Sequence, residues 1–250
     1  MSTSHTIQAF RFGLLVHGSK IWISEFLGII VVSITLLVLF SLTFFILFDE
    51  TRIHGNDKMI LSLKNDSLTL TKEKFELSGK LVIAEALASF KSGLVPASTC
   101  AQLAGLVYES STTYGYDPFL LLAVIHVESL FSSKARGQYK NGDYSGAFGL
   151  MQLKFETAQI IGRNLGISVN TIHDLFKPEV NLALGVAYLT QLIAQFHSFK
   201  LGLMAYNQGP GVIQEYLSTQ TPLPMSYYTR VLKSYYLLKK SAKAPVEPLP

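Results

Sequence analysis

The sequence has a single cysteine, Cys100, among 250 residues, so no intrachain disulfide can form. One cysteine also cannot provide the Pro-Cys-x-x-Cys partner that the triplet His126-Val127-Glu128 would need in a zinc deaminase. The sequence contains no His-Glu-x-x-His segment, no Gly-x-Ser-x-Gly elbow and no glycine-rich phosphate loop. We therefore expect neither a metal nor a cofactor, and we interpret His126 as a packed or polar-facing helix residue.

Clusters of basic charge are also missing. Twenty-one Lys and Arg residues against seventeen Asp and Glu residues give a net charge of +4, and the basic residues are scattered along the chain. Binding to nucleic acid requires a basic patch or stripe. We therefore expect no nucleic-acid partner.

Charged residues are absent from residues 26–48, an apolar run of twenty-three residues. About 20 apolar residues cross the hydrocarbon core of a bilayer, so we predict a transmembrane helix over 26–48. A cleaved signal peptide fits poorly, because the run is too long and no small-x-small site precedes Asp49-Glu50. Arg11 and Lys20 favour a cytoplasmic tail over residues 1–25 and an exported C-terminal bulk.

Residues 49–93 contain no tyrosine or proline, and their seven acidic and seven basic residues balance. We predict a stalk or linker over this range. Weak alternation around Asn65-Asp66 favours a small hairpin over 60–71, and residues 81–90 have helical character. Neither feature indicates a catalytic or binding function.

The composition changes after Gly93, since all twelve tyrosines lie between Tyr108 and Tyr236. A tyrosine offers an apolar ring and a hydroxyl, which suits a sugar-binding groove but also marks any folded domain. We predict a mainly α domain over 94–240, followed by a tail over 241–250. Helices are predicted over 98–112, from Pro118 through Glu128 with Asp117 as N-cap, and over 150–161, 179–196, 200–207 and 226–239. A polar loop is predicted over 132–145, with no strand of useful length.

One carboxylate differs from the seven others between Leu94 and Lys240. Glu128 follows the apolar run Leu120–Val127, whereas the others lie in polar, turn or helix-start contexts. Burial and the C-terminal end of a helix both disfavour the ionised form, so the pKa of Glu128 should rise toward neutrality. That state suits a general acid. The alternative is a buried glutamate paired with a basic residue for structure.

Four segments carry a family resemblance. Glu128-Ser129 is followed by Gly146-Ala147-Phe148-Gly149-Leu150-Met151-Gln152, then by Ala205-Tyr206-Asn207-Gln208-Gly209-Pro210-Gly211, and finally by Tyr227-Tyr228-Thr229-Arg230-Val231. This ordered set resembles the catalytic domain of the soluble-type lytic transglycosylases, a lysozyme-like fold related to goose-type lysozyme. The segments Tyr114–Pro118, Leu175-Phe176 and Asn181 resemble the same family. The resemblance covers about residues 98–236.

The resemblance implies non-hydrolytic cleavage of the β-1,4 bond between N-acetylmuramic acid and N-acetylglucosamine in peptidoglycan. Glu128 would protonate the leaving oxygen, the substrate's own N-acetyl group would stabilise the anomeric centre, and Glu128 would then take a proton from the muramyl C6 hydroxyl. A 1,6-anhydro ring closes without water. The implied location is the bacterial inner membrane, with the catalytic domain in the periplasm, peptidoglycan strands as partner and an envelope-spanning machine as a further candidate partner.

The resemblance also implies a set of substrate-binding residues around the catalytic Glu128. These residues are Ser129, Ser145, Met151, Gln152, Tyr206, Asn207 and Tyr227. Two positions stay open. Asp143 could replace Ser145, because Gly146 lies eighteen positions after Glu128, several more than in the family pattern. Tyr228 stands where the family has a valine, so either tyrosine could face the cleft.

Two other functions remain as alternatives. A muramidase of the same fold would use water and a second carboxylate, for which Asp143 is the only candidate in the loop. A non-catalytic module would bind glycan strands for assembly.

Overall fold

The computed structural model describes residues 13–16, 19–90, 95–139 and 141–242. It divides into two compact units, Met1–Thr71 and Lys72–Pro250. Within the described residues, α-helices dominate and the strands are short, so the predicted mainly α class is confirmed. The predicted tails 1–25 and 241–250 lie largely outside the described residues.

The first unit contains a short hairpin and most of one long helix. Strands β1 (Gly13–Val16) and β2 (Ser19–Trp22) pair antiparallel, and helix α1 runs over Ile23–Ser89. The part of α1 from Glu25 is long and apolar enough to cross a membrane by length and composition. The apolar run 26–48 lies within it, and its large side chains are exposed.

The hairpin predicted over 60–71 is wrong, because these residues continue α1. The alternation there is weak and contains no glycine or proline to turn the chain. The threonines that favoured a strand are accommodated in the helix: Thr69 Oγ1 donates to the Asn65 carbonyl at 2.9 Å and Thr71 Oγ1 to the Ser67 carbonyl at 2.8 Å.

The second unit is built around a buried helix, α3 (Pro118–Ser129), as predicted. Its residues 121–125 are all 0% exposed. Asp117 caps the helix by accepting a 2.9 Å hydrogen bond from the Phe119 amide, and Pro118 occupies the first turn. The helix ends at Leu130 and Phe131, both in the left-handed region with φ of 54° and 66°.

Besides α3 and the end of α1, the described part of the second unit contains six α-helices. They are α2 (Ala97–Tyr114), α4 (Phe155–Leu165), α5 (Pro178–Phe196), α6 (Phe199–Gln208), α7 (Pro210–Ser218) and α8 (Ser226–Ser241), with a 3₁₀ helix over Ile172–Phe176. The last turns of α1 join the same core, where Ile83, Leu87 and Phe90 are buried. Phe90 packs edge-on against His126, with ring centroids 4.8 Å apart.

Part of the second unit was predicted wrongly. The segment expected to be a polar loop without strands contains β3 (Arg136–Gln138) and β4 (Tyr144–Phe148), which form a three-stranded antiparallel sheet with β5 (Leu153–Lys154). The helix expected from Leu150 begins at Phe155 instead, because residues 150–152 form the turn between β4 and β5. Strands of two to five residues are too short to show an alternating pattern.

Candidate active site

Glu128 meets a tyrosine from the first turn of α8. The Tyr227 hydroxyl donates a 2.5 Å hydrogen bond to Oε1 of Glu128. Tyr227 is 1% exposed, whereas Glu128 is partly exposed. A ligand in solution can therefore reach Glu128, whereas Tyr227 binds the carboxyl group of Glu128 from the buried side. The adjacent Tyr228 packs against the small cluster around Met204 and Ile213, so Tyr227 is the tyrosine that contacts Glu128.

The pKa of Glu128 is raised from 4.5 to about 7. Burial is the largest cause, because it disfavours the charged carboxylate. The hydrogen bond from Tyr227 and the positive charge of Arg230 both act in the opposite direction. Among the described residues Glu128 forms no salt bridge, so it is not the structural ion-pair partner considered from the sequence. The prediction of a near-neutral pKa is confirmed.

Three further contacts hold α8 against α3 and its N-cap residue. His126 Nδ1 lies 2.8 Å from the Ser234 hydroxyl, in agreement with the interpretation of His126 as a packed residue. At the other end of α3, Asp117 Oδ2 accepts a 2.8 Å hydrogen bond from the Tyr235 hydroxyl and lies 3.1 Å from Lys239 Nζ. These contacts fix the position of α8 and hence of the tyrosine that touches Glu128.

The turn between β4 and β5 is held by Asn181 of α5, which is 0% exposed. Its side-chain amide donates to the Phe148 carbonyl at 2.8 Å and to the Leu175 carbonyl at 2.9 Å, and its oxygen accepts from the Met151 amide at 2.7 Å. Gly149 passes so close that a Cβ there would overlap the Leu175 carbonyl and the Asn181 amide. Asn181 thus holds the turn against the start of α5.

Tyr206 of α6 joins this turn to the region of Glu128. Its hydroxyl donates a 2.7 Å hydrogen bond to the Met151 carbonyl. The pKa of Tyr206 is raised well above 10, chiefly by burial and also by the nearby charge of Glu128, so its hydroxyl stays protonated. The Met151 side chain is 0% exposed. Met151 therefore contributes its backbone to this network, with its side chain beneath the surface.

Gln152 and Ser145 face each other across Gly137 of β3. A Cβ at Gly137 would overlap Ser145 Oγ and lie 2.7 Å from Gln152 Oε1. Gln152 has a positive φ of 52°, and its amide donates to the Gly149 carbonyl at 2.8 Å and the Ala135 carbonyl at 3.3 Å. Both side chains are partly exposed, so both are accessible to a ligand.

The two remaining predicted site residues form hydrogen bonds only close to their own positions in the chain. Ser129 is 8% exposed and its hydroxyl donates to the Ile125 carbonyl of its own helix at 3.1 Å. Asn207 is exposed at the end of α6, where its oxygen accepts from Gln208 Nε2 at 3.1 Å. The part that each predicted residue takes in substrate binding stays a prediction.

Asp143, the candidate second carboxylate, lies exposed before β4. Its Oδ2 accepts a 2.7 Å hydrogen bond from the side chain of Asn141. Apart from Tyr227 and Arg230, no described residue has a resolved influence on the pKa of Glu128, so Asp143 does not act on the acid as a close second carboxylate would. In the part of the chain that the structure describes, no three His, Cys, Asp or Glu side chains are grouped so as to hold a metal ion.

One residue near Glu128 was not singled out from the sequence. Arg230 is exposed, one helical turn after Tyr227, and its guanidinium carbon lies 5.7 Å from the centre of the Tyr227 ring. The sequence contained one signal for this contact: Tyr227 and Arg230 are three residues apart, and side chains at that spacing are neighbours on a helix.

Comparison with known proteins matches residues 105–227 to the transglycosylase SLT domain family. Among solved structures, the chain is similar to an inactive mutant of the lytic transglycosylase Slt from Pseudomonas aeruginosa, with 28% identity and a TM-score of 0.40 over 54% of this chain and 22% of that one. It is also similar to the 70-kDa soluble lytic transglycosylase from Escherichia coli, with 21% identity and a TM-score of 0.48 over 62% of this chain and 29% of that one. A complex of the 70-kDa soluble lytic transglycosylase with bulgecin A matches with 20% identity, a TM-score of 0.49 and the same coverage.

The chain thus spans less than a third of the length of these proteins. The matched residues 105–227 begin within α2 and end at Tyr227, so they include Glu128, the three-stranded sheet and Tyr206. The resemblance found in the sequence motifs is confirmed over this range, in which the chain matches the transglycosylase SLT domain family.

Proposed function

We propose that this protein is a peptidoglycan lytic transglycosylase that cleaves the bond between N-acetylmuramic acid and N-acetylglucosamine and leaves 1,6-anhydromuramyl ends. The observation that carries the proposal is the state of Glu128: a partly exposed carboxyl group whose pKa is raised to about 7. A group with this pKa exists in both protonation states near neutral pH, as a residue that acts first as acid and then as base requires.

In the first step, Glu128 donates its proton to the glycosidic oxygen that leaves. Tyr227 donates its hydrogen bond to Oε1, and the pKa of Tyr227 is raised well above 10, mainly by burial. Tyr227 thus remains a donor, so the acid proton of Glu128 belongs on the other oxygen, Oε2. The hydrogen bond from Tyr227 also stabilises the carboxylate that forms when the proton leaves.

No carboxylate among the described residues contributes to the shifted pKa of Glu128, so another group has to stabilise the anomeric centre. Most glycosidases use a carboxylate for this, and substrate-assisted enzymes are the exception. We assign the role to the N-acetyl group of the muramyl residue. The carboxylate of Glu128 finally accepts the proton of the C6 hydroxyl, whose oxygen closes the anhydro ring.

The first part of α1 would hold this reaction at a membrane. Its length and apolar composition support a membrane anchor over 26–48. The positive residues Arg11 and Lys20 support a cytoplasmic N-terminus, which puts the SLT domain in the periplasm of the bacterial cell, where peptidoglycan lies. An envelope-spanning machine is a further partner that such an anchor would suit.

Mass spectrometry of the products released from purified sacculi tests the proposal, with the full-length protein in detergent. We expect anhydro-ended muropeptides from the wild type and none from Glu128→Gln. Glu156→Gln is the matched control, since Glu156 is an exposed glutamate of the same domain, and it should release the same products as the wild type. Products that all carry reducing ends would instead indicate a muramidase, and binding of sacculi without any release would indicate a non-catalytic module.

A further inference from the structure

The stretch of α1 that follows the proposed membrane anchor exposes its apolar side chains to solvent. Residues 49–71 are exposed throughout, and every large apolar side chain among them is more than half exposed. Protein surfaces rarely expose a long row of apolar groups unless another molecule covers it. This stretch therefore has the character of an interaction surface.

Four of these side chains follow the spacing of a coiled coil. Ile53 and Ile60 are seven residues apart on the helix. Leu63 and Leu70 repeat this interval, and Leu63 lies three residues after Ile60. Two such columns are the a and d positions of a heptad repeat, which form one seam along a helix. Isoleucine at a with leucine at d is the combination that favours a pair of parallel helices.

Polar residues fix the register and the end of this seam. Asn56 and Ser67 occupy its two other positions between residues 53 and 70. A polar core residue is best placed opposite its own copy, so it favours pairing in register. The next a position holds Lys74, where two copies would bring like charges together. The seam therefore ends at Leu70.

The charges beside the seam suit a parallel pair. Arg52 and Asp57 lie at flanking positions, g and e, five residues apart. In a parallel pair in register, residues at g of one helix form salt bridges with residues at e of the other. Arg52 of each copy would therefore meet Asp57 of the other copy, an attractive pair on both sides of the seam. Two copies anchored in one membrane also run in the same direction.

We propose that a second copy of this chain covers the seam, so that residues 53–70 of two α1 helices form a parallel coiled-coil dimer outside the membrane. The inference takes the orientation of the two copies from the proposed membrane anchor and does not depend on the proposed chemistry. Release of anhydro-ended muropeptides and formation of the dimer are therefore measured separately, and either can fail without the other.

Disulfide cross-linking in membranes tests the seam directly. Leu63→Cys puts a thiol in the seam, where two copies in register bring their Cβ atoms close enough for a disulfide. Leu68→Cys is the matched control, because Leu68 lies off the seam and is 71% exposed against 56% for Leu63. The wild type gives the background, since its one cysteine, Cys100, is buried. After mild oxidation, Leu63→Cys should run mainly as a covalent dimer, and Leu68→Cys and the wild type mainly as monomers.

A second pair of variants tests the dimer without cysteine chemistry. Ile60→Lys places like charges opposite each other in the seam, so the mass of the full-length protein in detergent should fall to about half that of the wild type. Leu61→Lys adds the same charge one residue later, off the seam, and should keep the wild-type mass. A monomeric wild type, or equal cross-linking of Leu63→Cys and Leu68→Cys, would overturn the inference. The same oligomeric state in both lysine variants would also overturn it.

Discussion

Replacement of Glu128 by glutamine should stabilise the folded domain, and by an amount that grows with pH. The carboxyl group has a folded-state pKa of about 7 against 4.5 for an ordinary glutamate. The folded protein therefore holds a proton on Glu128 that the unfolded chain releases between these two pH values. By linkage, this group favours folding below pH 4.5 and loses that contribution as the pH rises through about 7.

The magnitude follows from the difference between the two pKa values. Each pH unit of difference corresponds to about 1.4 kcal/mol, so ionised Glu128 lowers the free energy of unfolding by about 3 kcal/mol at pH 7 and above. Near pH 5 the cost is about 1 kcal/mol. A glutamine has almost the same shape, stays neutral at every pH and can accept the same hydrogen bond from Tyr227, so it avoids this cost.

Calorimetric unfolding of the full-length protein in detergent, at pH values from about 5 to 8, measures the effect. About 3 kcal/mol corresponds to roughly 6–12 °C in Tm for a domain of this size. The Tm of Glu128→Gln should therefore exceed that of the wild type by an amount that widens from about pH 5 to about pH 7 and then levels off. The exposed control Glu156→Gln should show no comparable widening. A constant Tm difference over this range, or a less stable Glu128→Gln, would refute the argument that burial raises the pKa.

Three further predictions test the surroundings of Glu128. Tyr227→Phe removes a hydrogen bond to the carboxylate, so the alkaline limb of the pH dependence of kcat/KM should move up by about one pH unit; an unmoved limb would contradict the contact. Asn181→Ala removes the hydrogen bonds that its side chain forms with the Met151 amide and with the Phe148 and Leu175 carbonyls, and chemical unfolding should show a loss of about 3 kcal/mol or more. Phe90→Ala should cost about 3–5 kcal/mol by the same measurement, because the end of α1 is part of the domain core; a loss below about 1 kcal/mol would exclude that role.

The part of the site that could be predicted from the sequence is the part that local chemistry determines. Asp117 and Pro118 mark the start of α3 without reference to the rest of the chain, and the run of apolar residues before Glu128 indicates its burial. The raised pKa follows from that burial alone. Each of these predictions depends on neighbours within one helix.

The turn of residues 149–152 could not be predicted, because its shape depends on residues that are distant in the sequence. Its shape is imposed by Asn181, thirty residues further along the chain from Met151. The run Leu150-Met151-Gln152 favours a helix by composition, but the positive φ of Gly149 and of Gln152 breaks it. Helix α7 was missed in a similar way, because Gly209-Pro210 ends one helix and Pro210 also begins the next.

The choice between Tyr227 and Tyr228 shows the same limit within a single helix. Adjacent helical residues point about 100° apart, so only the packing of α8 against α3 decides which ring is buried. That packing depends on contacts between distant residues, such as His126 with Ser234. The sequence identifies the pair of tyrosines, and the tertiary structure selects one.

The balance of effects at Glu128 explains why a single residue can act as both acid and base. Burial alone would raise the pKa further and leave a carboxyl group too weak to release its proton at neutral pH. Tyr227 and Arg230 each lower it again, and the result lies at about 7. In the pH dependence of kcat/KM, which reports on the free enzyme, the alkaline limb should then lie at a higher pH for Arg230→Gln than for the wild type, because this substitution removes a positive charge that lowers the pKa of Glu128. An unmoved limb would contradict this balance of effects.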